Sequence, residues 1–251
     1  MKPPGIAAGE LLDPVAAYDR VAHVYGCVAK QRKAYLDAID RLVIGEILPG
    51  CRSMLDVGAG EGARASVIAS AAGIPHIVLL EPSGVMRSRC PAEAEIWAMR
   101  AEELDRQQGS FDVITCLWNV LGHITPAATR LEVLRQFARL LSPAGRVFLD
   151  LNHRYNARHY GLLATAMRSL RDLVSPAESN GDVQVSWDID GEPVTTIGHV
   201  FNHKEFKSLS GAAGLRIEKR LVVDYGSGQL RQRIWEGNLL YVLRRRPDHG
   251  A

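Results

Sequence analysis

The chain reads as a doubly wound α/β domain, a parallel sheet with helices on both faces. Three observations predict it. Apolar runs of strand length recur at Met54–Val57, Ile77–Leu80, Val113–Leu117 and Val147–Leu151; stretches of helical apolar spacing separate them; and the first run feeds a glycine-rich turn, Gly58–Gly62, ahead of a helix. Strands that alternate with helices run parallel, because each connection crosses a face of the sheet instead of folding back as a hairpin. A chain of 251 residues suffices for one such domain with insertions.

The elements follow in order. Met1–Glu10 has one Lys and two Pro but no apolar stretch of the kind a signal peptide needs. From Asp13 to Ile47 the residues Val15, Ala16, Val21, Ala22 and Tyr25, then Leu36, Ile39, Leu42 and Val43, recur at helical spacing. They predict two amphipathic helices, ended by Pro49 and Gly50. Thr125 as N-cap and Pro126 in the first turn predict a helix with a stripe of Leu131, Leu134, Ala138 and Leu141, stopped by Ser142–Gly145. After Leu151 comes a dense polar and aromatic stretch, Asn152–Tyr160, and then a helical stripe of Leu163, Met167, Leu170 and Val174. Val183, Val185, Trp187 and Ile189 alternate with polar residues, Asp190-Gly191 turns, and Val194–Phe201 returns, which predicts a hairpin. Asn202 and Glu205 have capping-box spacing for a helix closed by Gly214, and strands follow at Leu215–Val223 and Leu239–Leu243.

Composition narrows the function. No apolar run approaches the roughly 18–20 residues of a membrane span, so a soluble protein without a membrane partner is expected. A net charge of +2 gives no field able to hold a polyanion, and Arg244–Arg246 reads as a solvated tail, so no nucleic-acid partner is expected. The four cysteines are widely spaced without a C-x-x-C pair, which speaks against zinc and disulfides and fits reduced thiols in a cytoplasm. No carboxylate or cysteine completes a metal site around His153 and His159, so no metal is expected.

The sharpest motif is Leu55-Asp56-Val57-Gly58-Ala59-Gly60-Glu61-Gly62. Glycines let the backbone approach a ligand closely and present its N–H groups. Gly58, Gly60 and Ala63 also satisfy the G-x-G-x-x-A form of a dinucleotide site, and Glu81, closing the next strand, suits both hydroxyls of an adenosine ribose in either case. The rest of the series separates the two: Asp56 inside the first strand, Glu81-Pro82-Ser83-x-x-Met86, Ala101-Glu102-Glu103-Leu104 after a third strand, and Phe111-Asp112 opening a fourth. In this order they resemble the class I S-adenosylmethionine-dependent methyltransferases, from about Tyr18 to Leu243. The resemblance implies S-adenosylmethionine as cofactor and a Rossmann-like seven-stranded sheet whose antiparallel seventh strand enters the sheet edge. It implies that the glycine turn, Gly58, Ala59, Gly60 and Gly62, holds the methionine end. Glu81 would hold the ribose, Met86 would pack on the adenine, Arg100, Ala101 and Glu102 would surround its edge, and Asp56 and Pro82 would also bind the cofactor. Tyr18-Asp19-Arg20-Val21-Ala22-x-x-Tyr25 is similar to a stretch that caps the cofactor in small-molecule members, which adds Tyr25.

Ligands of open α/β sheets bind outside the carboxyl ends of the strands, so Leu117, Trp118 and Asn119 should face the cofactor and His123 the reacting methyl. Family members acting on exocyclic nucleobase amines carry Asn or Asp, Pro-Pro and an aromatic here; Asn119-Val120-Leu121-Gly122 departs from that. Pyrimidine C5 enzymes attack with a cysteine usually preceded by proline, and Thr115-Cys116 departs too, leaving Cys116 as a buried small hydrophobe. A small-molecule acceptor is expected. Asn152–Tyr160 follows a strand on the ligand side and is read as an acceptor wall, making His123, His153 and Tyr155 the catalytic candidates. An amine acceptor needs only to be neutral and positioned, whereas a hydroxyl needs a base, so N and O remain open.

The organisation expected is an N-terminal helical cap at 1–50, a cofactor-binding core at 51–156, a lid insertion with helix and β-hairpin at 157–201, and the C-terminal part of the core with a tail at 202–251. An NAD-type oxidoreductase is the alternative enzyme, and a regulatory protein retaining the fold without transfer is the alternative of another class. An RNA or protein methyltransferase would carry an appended basic module, which the sequence lacks. Monomer and homodimer both stay open.

Overall fold

The computed structural model describes residues 10–247. The signal-peptide reading of residues 1–9 and the end of the tail at 248–251 lie outside the described residues. The chain opens on β1 (Leu11–Leu12) and three helices, α1 (Pro14–Val21), α2 (Tyr25–Gln31) and α3 (Lys33–Glu46). Asp13 caps α1 by accepting the Val15 N–H at 3.0 Å, and Pro14 fits the first turn because it has no N–H to satisfy. Three helices form where the spacing predicts two: the break at Arg32 carries neither Gly nor Pro, so the apolar period continues through it.

The core follows as β2 (Ser53–Val57), α4 (Ala63–Ala72), β3 (His76–Leu80), α5 (Gly84–Arg87), β4 (Glu95–Trp97), β5 (Phe111–Cys116), α6 (Ala127–Leu140) and β6 (Leu141–Leu151). Next come α7 (Ala157–Tyr160), α8 (Leu162–Val174) and the hairpin β7 (Asp182–Ile189) and β8 (Glu192–His199). Then α9 (His203–Ala212), β9 (Leu215–Val223), β10 (Leu230–Arg231) and β11 (Asn238–Arg245) complete the described chain. Thr125 does not cap α6; Pro126 stands at the N-cap without a side-chain bond. That helix ends at Leu140 because β6 begins at once, so Ser142–Gly145 belongs to a strand. The expected hairpin forms, with Asp190 and Gly191 both at positive φ in a two-residue turn, and so does the Asn202–Glu205 capping box.

The main sheet runs β4-β3-β2-β5-β6-β11-β9-β10, with β4, β3, β2, β5 and β6 parallel. It has eight strands where seven are expected, the extra one being the two-residue β10, which pairs with Val222 and Val223. The antiparallel β11 does not enter at an edge. It lies between β6 and β9, bonded to both, because the 224–237 connection lets it fold back beside β9. Each central strand is buried on both faces. Leu55, Val57, Val147, Leu149 and Leu151 pack with Phe137 of α6 and Phe206 of α9. Met54 and Phe148 point the other way, to Tyr35 and Ile39 of α3 and Ile68 of α4. By the same alternation Asp56 and Asp150 face α3 and α4, which fixes where two buried carboxylates sit.

A second, three-stranded sheet runs β1-β8-β7. Leu11 and Leu12 pair in parallel with Thr195 and Thr196, and Ala17 and Val21 of α1 pack on Val194 with Trp187 and Ile189 beside them. The first helix is thus held by the β7–β8 hairpin.

Gly62 joins the turn to α4 at φ +73°, and a Cβ there would lie 2.6 Å from Leu79 Cδ1; Gly73 at the other end has φ +68° but open space. Gly62→Ala should therefore cost about 2–4 kcal/mol, and Gly73→Ala about 1, since only the first adds overpacking to backbone strain. Urea unfolding of both variants checks this; equal losses would refute the packing argument.

Candidate functional site

A cavity of about 410 Å³ lies at the carboxyl ends of β2, β3 and β5, beneath α1, α2 and α3. Its floor is the turn after β2, where Gly58, Gly60 and Gly62 have φ of +72°, +58° and +73°. Gly58 and Ala59 donate their N–H groups to the Leu80 carbonyl at 2.8 and 3.1 Å, which locks the turn to the end of β3. A Cβ on Gly58 would fall 2.6 Å from Val120, so the turn and the segment after β5 approach as closely as glycine permits. Gly62 does not line the cavity: its missing side chain makes room for Leu79.

Glu81 bridges turn and helix. One carboxylate oxygen accepts the Gly60 N–H at 2.7 Å and the other the Ser83 N–H at 2.8 Å. Burial raises its pKa, opposed by those two N–H groups. Asp56 accepts the Thr115 hydroxyl at 2.5 Å, and burial pushes its pKa up to about 6. Asp150, also raised by burial to about 6, accepts the Trp118 N–H at 3.1 Å and the Tyr35 hydroxyl. Arg64 reaches across the cavity side to Asp40 in a forked pair, Nη2 at 2.6 Å and Nε at 3.0 Å from Oδ1.

The cover is aromatic. Tyr25 of α2 lies 5.5 Å from Trp118 and 6.2 Å from Tyr18 of α1, centroid to centroid. His123 Nδ1 is 3.1 Å from the Ile197 carbonyl, which can only accept, so Nδ1 carries the proton. Nε2 is then the acceptor of the Tyr18 hydroxyl at 3.2 Å. Burial lowers the His123 pKa, keeping the imidazole neutral near pH 7. Asp19 fastens this cover to the core by accepting the Ser83 hydroxyl at 2.5 Å.

Of the residues expected from sequence, Tyr25, Asp56, Gly58, Ala59, Gly60, Glu81, Pro82, Met86, Arg100, Ala101, Glu102, Leu117, Trp118 and His123 line this cavity. Asn119 does not. Its amide donates to the His199 carbonyl at 3.1 Å and its oxygen accepts the Asn152 N–H at 2.9 Å, so both ends serve the backbone. His153 and Tyr155 do not either, so the expected acceptor wall lies apart from this cavity. Hydrogen bonds between Asn152 or Arg154 and Phe201 draw the chain after β6 toward the end of β8. There His153 and Tyr155 line a separate cavity of about 690 Å³ with Arg154, Asp172 and Glu205. Burial lowers the His153 pKa to about 4 and raises that of Tyr155 to about 12, its hydroxyl being donated to Asp172. Nor does the 157–201 insertion line the first cavity; it reaches it through the Ile197 carbonyl and through Trp187, 5.5 Å from Tyr18. Lining residues that the sequence reading passed over include Tyr18, visible there only as part of a motif, and Val15, Lys33, Asp40, Arg64, Val120 and Ile124. Asp40 and Arg64 meet only through the fold, and nothing local marks them.

A family model described as a methyltransferase domain matches residues 28–220, more than three quarters of the chain. No curated protein sequence matches. Among solved structures, an S-adenosylmethionine-dependent methyltransferase from Clostridium acetobutylicum superposes with a TM-score of 0.62 at 14% identity, covering 92% of this chain and 99% of that one. A sugar N-methyltransferase from a Streptoalloteichus species gives a TM-score of 0.59 at 18% identity over 98% of this chain and 99% of that one. The N-methyltransferase NodS from Bradyrhizobium japonicum, in complex with S-adenosyl-L-homocysteine, gives 0.54 at 13% over 84% and 85%. At these identities the likenesses show a shared fold.

Asp56 yields a pH dependence. Its folded pKa of about 6 lies above the unfolded 3.8, so its contribution to stability is full below about pH 4 and is lost as pH rises through 6. Asp56→Asn keeps an acceptor for Thr115 but removes this titration. In urea unfolding without ligand, the variant should gain about 3 kcal/mol on the parent between pH 4 and pH 7. A difference that stays constant over that range would show that Asp56 ionises normally.

Proposed function

This chain belongs to the methyltransferase domain family and is an S-adenosylmethionine-dependent enzyme, and we propose that its acceptor is a small molecule methylated at nitrogen or oxygen. The observation that carries the reading is the single cavity running from the glycine turn past Glu81 and Met86 to Arg100–Glu102, closed on its other side by Tyr18, Tyr25, Trp118 and His123. The residues fit the cofactor. Gly58 and Gly60 leave the turn without side chains, Glu81 has lone pairs beyond its two backbone bonds for the ribose hydroxyls, and Met86 and Ala101 offer apolar contact to an adenine. Arg64, on the opposite arm beside Asp40, would meet the carboxylate of the methionine end.

When bound, the cofactor supplies an electrophilic methyl group on a sulfonium. The chain's task is then to exclude water and to align an acceptor lone pair with the C–S axis. The faces of Tyr18, Tyr25 and Trp118 favour a cation and exclude water. His123 Nε2 accepts the Tyr18 hydroxyl at the cavity, so the proton of a hydroxyl acceptor, or of the ammonium left by an amine, would pass to it through that hydroxyl. The helices α1 and α2 serve as the cover, and the 157–201 insertion braces it from behind. A sugar N-methyltransferase among the structural neighbours and the absence of a strong positive field favour a small polar acceptor over a nucleic acid.

Calorimetric titration should show S-adenosylmethionine and its demethylated product binding and NAD failing to bind; NAD binding without the methyl donor would end the reading. Glu81→Ala should weaken the cofactor by roughly 1.5–3 kcal/mol with the fold intact, since it removes charge-assisted bonds to the ribose. With labelled methyl donor and a panel of amines, amino sugars and alcohols, His123→Ala and Tyr18→Phe should lower turnover at near-parental cofactor affinity. His153→Ala should turn over like the parent. If it alone loses activity, the acceptor lies in the second cavity.

A further inference from the structure

We propose that α8 is the surface through which two copies of this chain pair. The helix is inverted in polarity. Its buried residue is Thr165, and Arg168 and Asp172, at the following inward positions, also face the chain's own body. Leu162, Leu163, Met167, Leu170, Leu173 and Val174 face outward and are 61–80% exposed. A helix folded for its own monomer turns this stripe inward. Here the outward stripe presents on the order of 700 Å² of apolar surface, above the roughly 300–600 Å² of the largest patch on a typical monomer. The roughly 800 Å² per partner of a standard interface is close to that figure.

The pattern selects a second copy as the occupant. Leu163, Ala166, Leu170 and Leu173 have the 3-4-3 spacing of a helix–helix seam, with Met167 and Val174 beside it. About a two-fold axis crossing the helix near Met167 and Leu170, Leu163 of one copy meets Leu173 and Val174 of the other, so the face is complementary to itself. The charged side chains of α8 are turned back onto the chain's own body, away from the apolar stripe. Arg168 donates to the Arg154 carbonyl at 3.2 Å and lies 4.1 Å over the Tyr160 ring; Arg171 donates to the Asn180 carbonyl; Asp172 accepts from Arg154 at 2.8 Å.

Sedimentation velocity of the full chain between about 1 and 100 μM should give a species of twice the 27.5 kDa chain mass. Leu163→Glu/Leu170→Glu should raise the dimer dissociation constant by at least about 100-fold with an unchanged circular dichroism spectrum, because neither side chain packs inside its own chain. Val67→Glu, at an exposed apolar residue on α4, is the control and should leave the dimer intact. A parent that stays monomeric overturns the proposal, as does a dimer that survives the double substitution or is broken by Val67→Glu. A monomeric parent that floats with phosphatidylserine vesicles would assign the face to a membrane instead.

Discussion

Two consecutive non-glycine residues in left-handed backbone, Trp118 at φ +56° and Asn119 at φ +61°, are the constraint on which the site depends. Such geometry costs on the order of 1–3 kcal/mol per residue and persists only where the surroundings over-determine it. Here they do. Asp150 accepts the Trp118 N–H with its side chain and the Asn119 N–H with its carbonyl, and the Asn119 amide joins the start of the post-β6 segment to the end of β8. The kink turns Trp118 over the cavity and carries the chain to His123. Strand ends, cavity wall and insertion are therefore tied at one point, through a carboxylate that burial keeps difficult to ionise.

What was legible in the sequence was what local pattern encodes. The parallel strands, the glycine turn, Glu81, Met86 and the Arg100–Glu102 segment follow from period and spacing, and all of these site residues line one cavity. The failures have a common cause. Asn152–Tyr160 carries the right chemistry and follows a strand at the ligand side, yet hydrogen bonds to Phe201, some fifty positions later, decide its direction. Asn119 stands where a ligand contact is expected, but the backbone groups around it claim its amide. The α6 start shows the reverse, a good N-cap type at Thr125 that the helix does not use.

The displaced stretch has its own logic. Arg154 is buried and pairs with Asp172 and Glu205 at 2.8 and 2.6 Å, while His199 sits between Asp182 and Glu205 at 2.7 and 2.6 Å. Pairs of this kind contribute little net stability against apolar substitutes, but breaking one leaves a buried charge uncompensated. They act as a register, fixing α8, α9 and the hairpin against the end of β6. The second cavity is lined by this framework.

The pairing of β1 with β8 joins Leu12 to Thr196, whose hydroxyl also donates to the Leu12 carbonyl at 2.8 Å. A chain leaves the ribosome from its N-terminus at roughly 5–20 residues per second. The strip that anchors the first helix is thus among the later parts to emerge, after the glycine turn and five of the sheet strands. During those seconds α1, with Tyr18, has only its anchors to the earlier core, Asp19 to Ser83 and Asp13 to Arg100. The enzyme is born with its floor laid, and its roof gains its last support only when residues near 196 emerge.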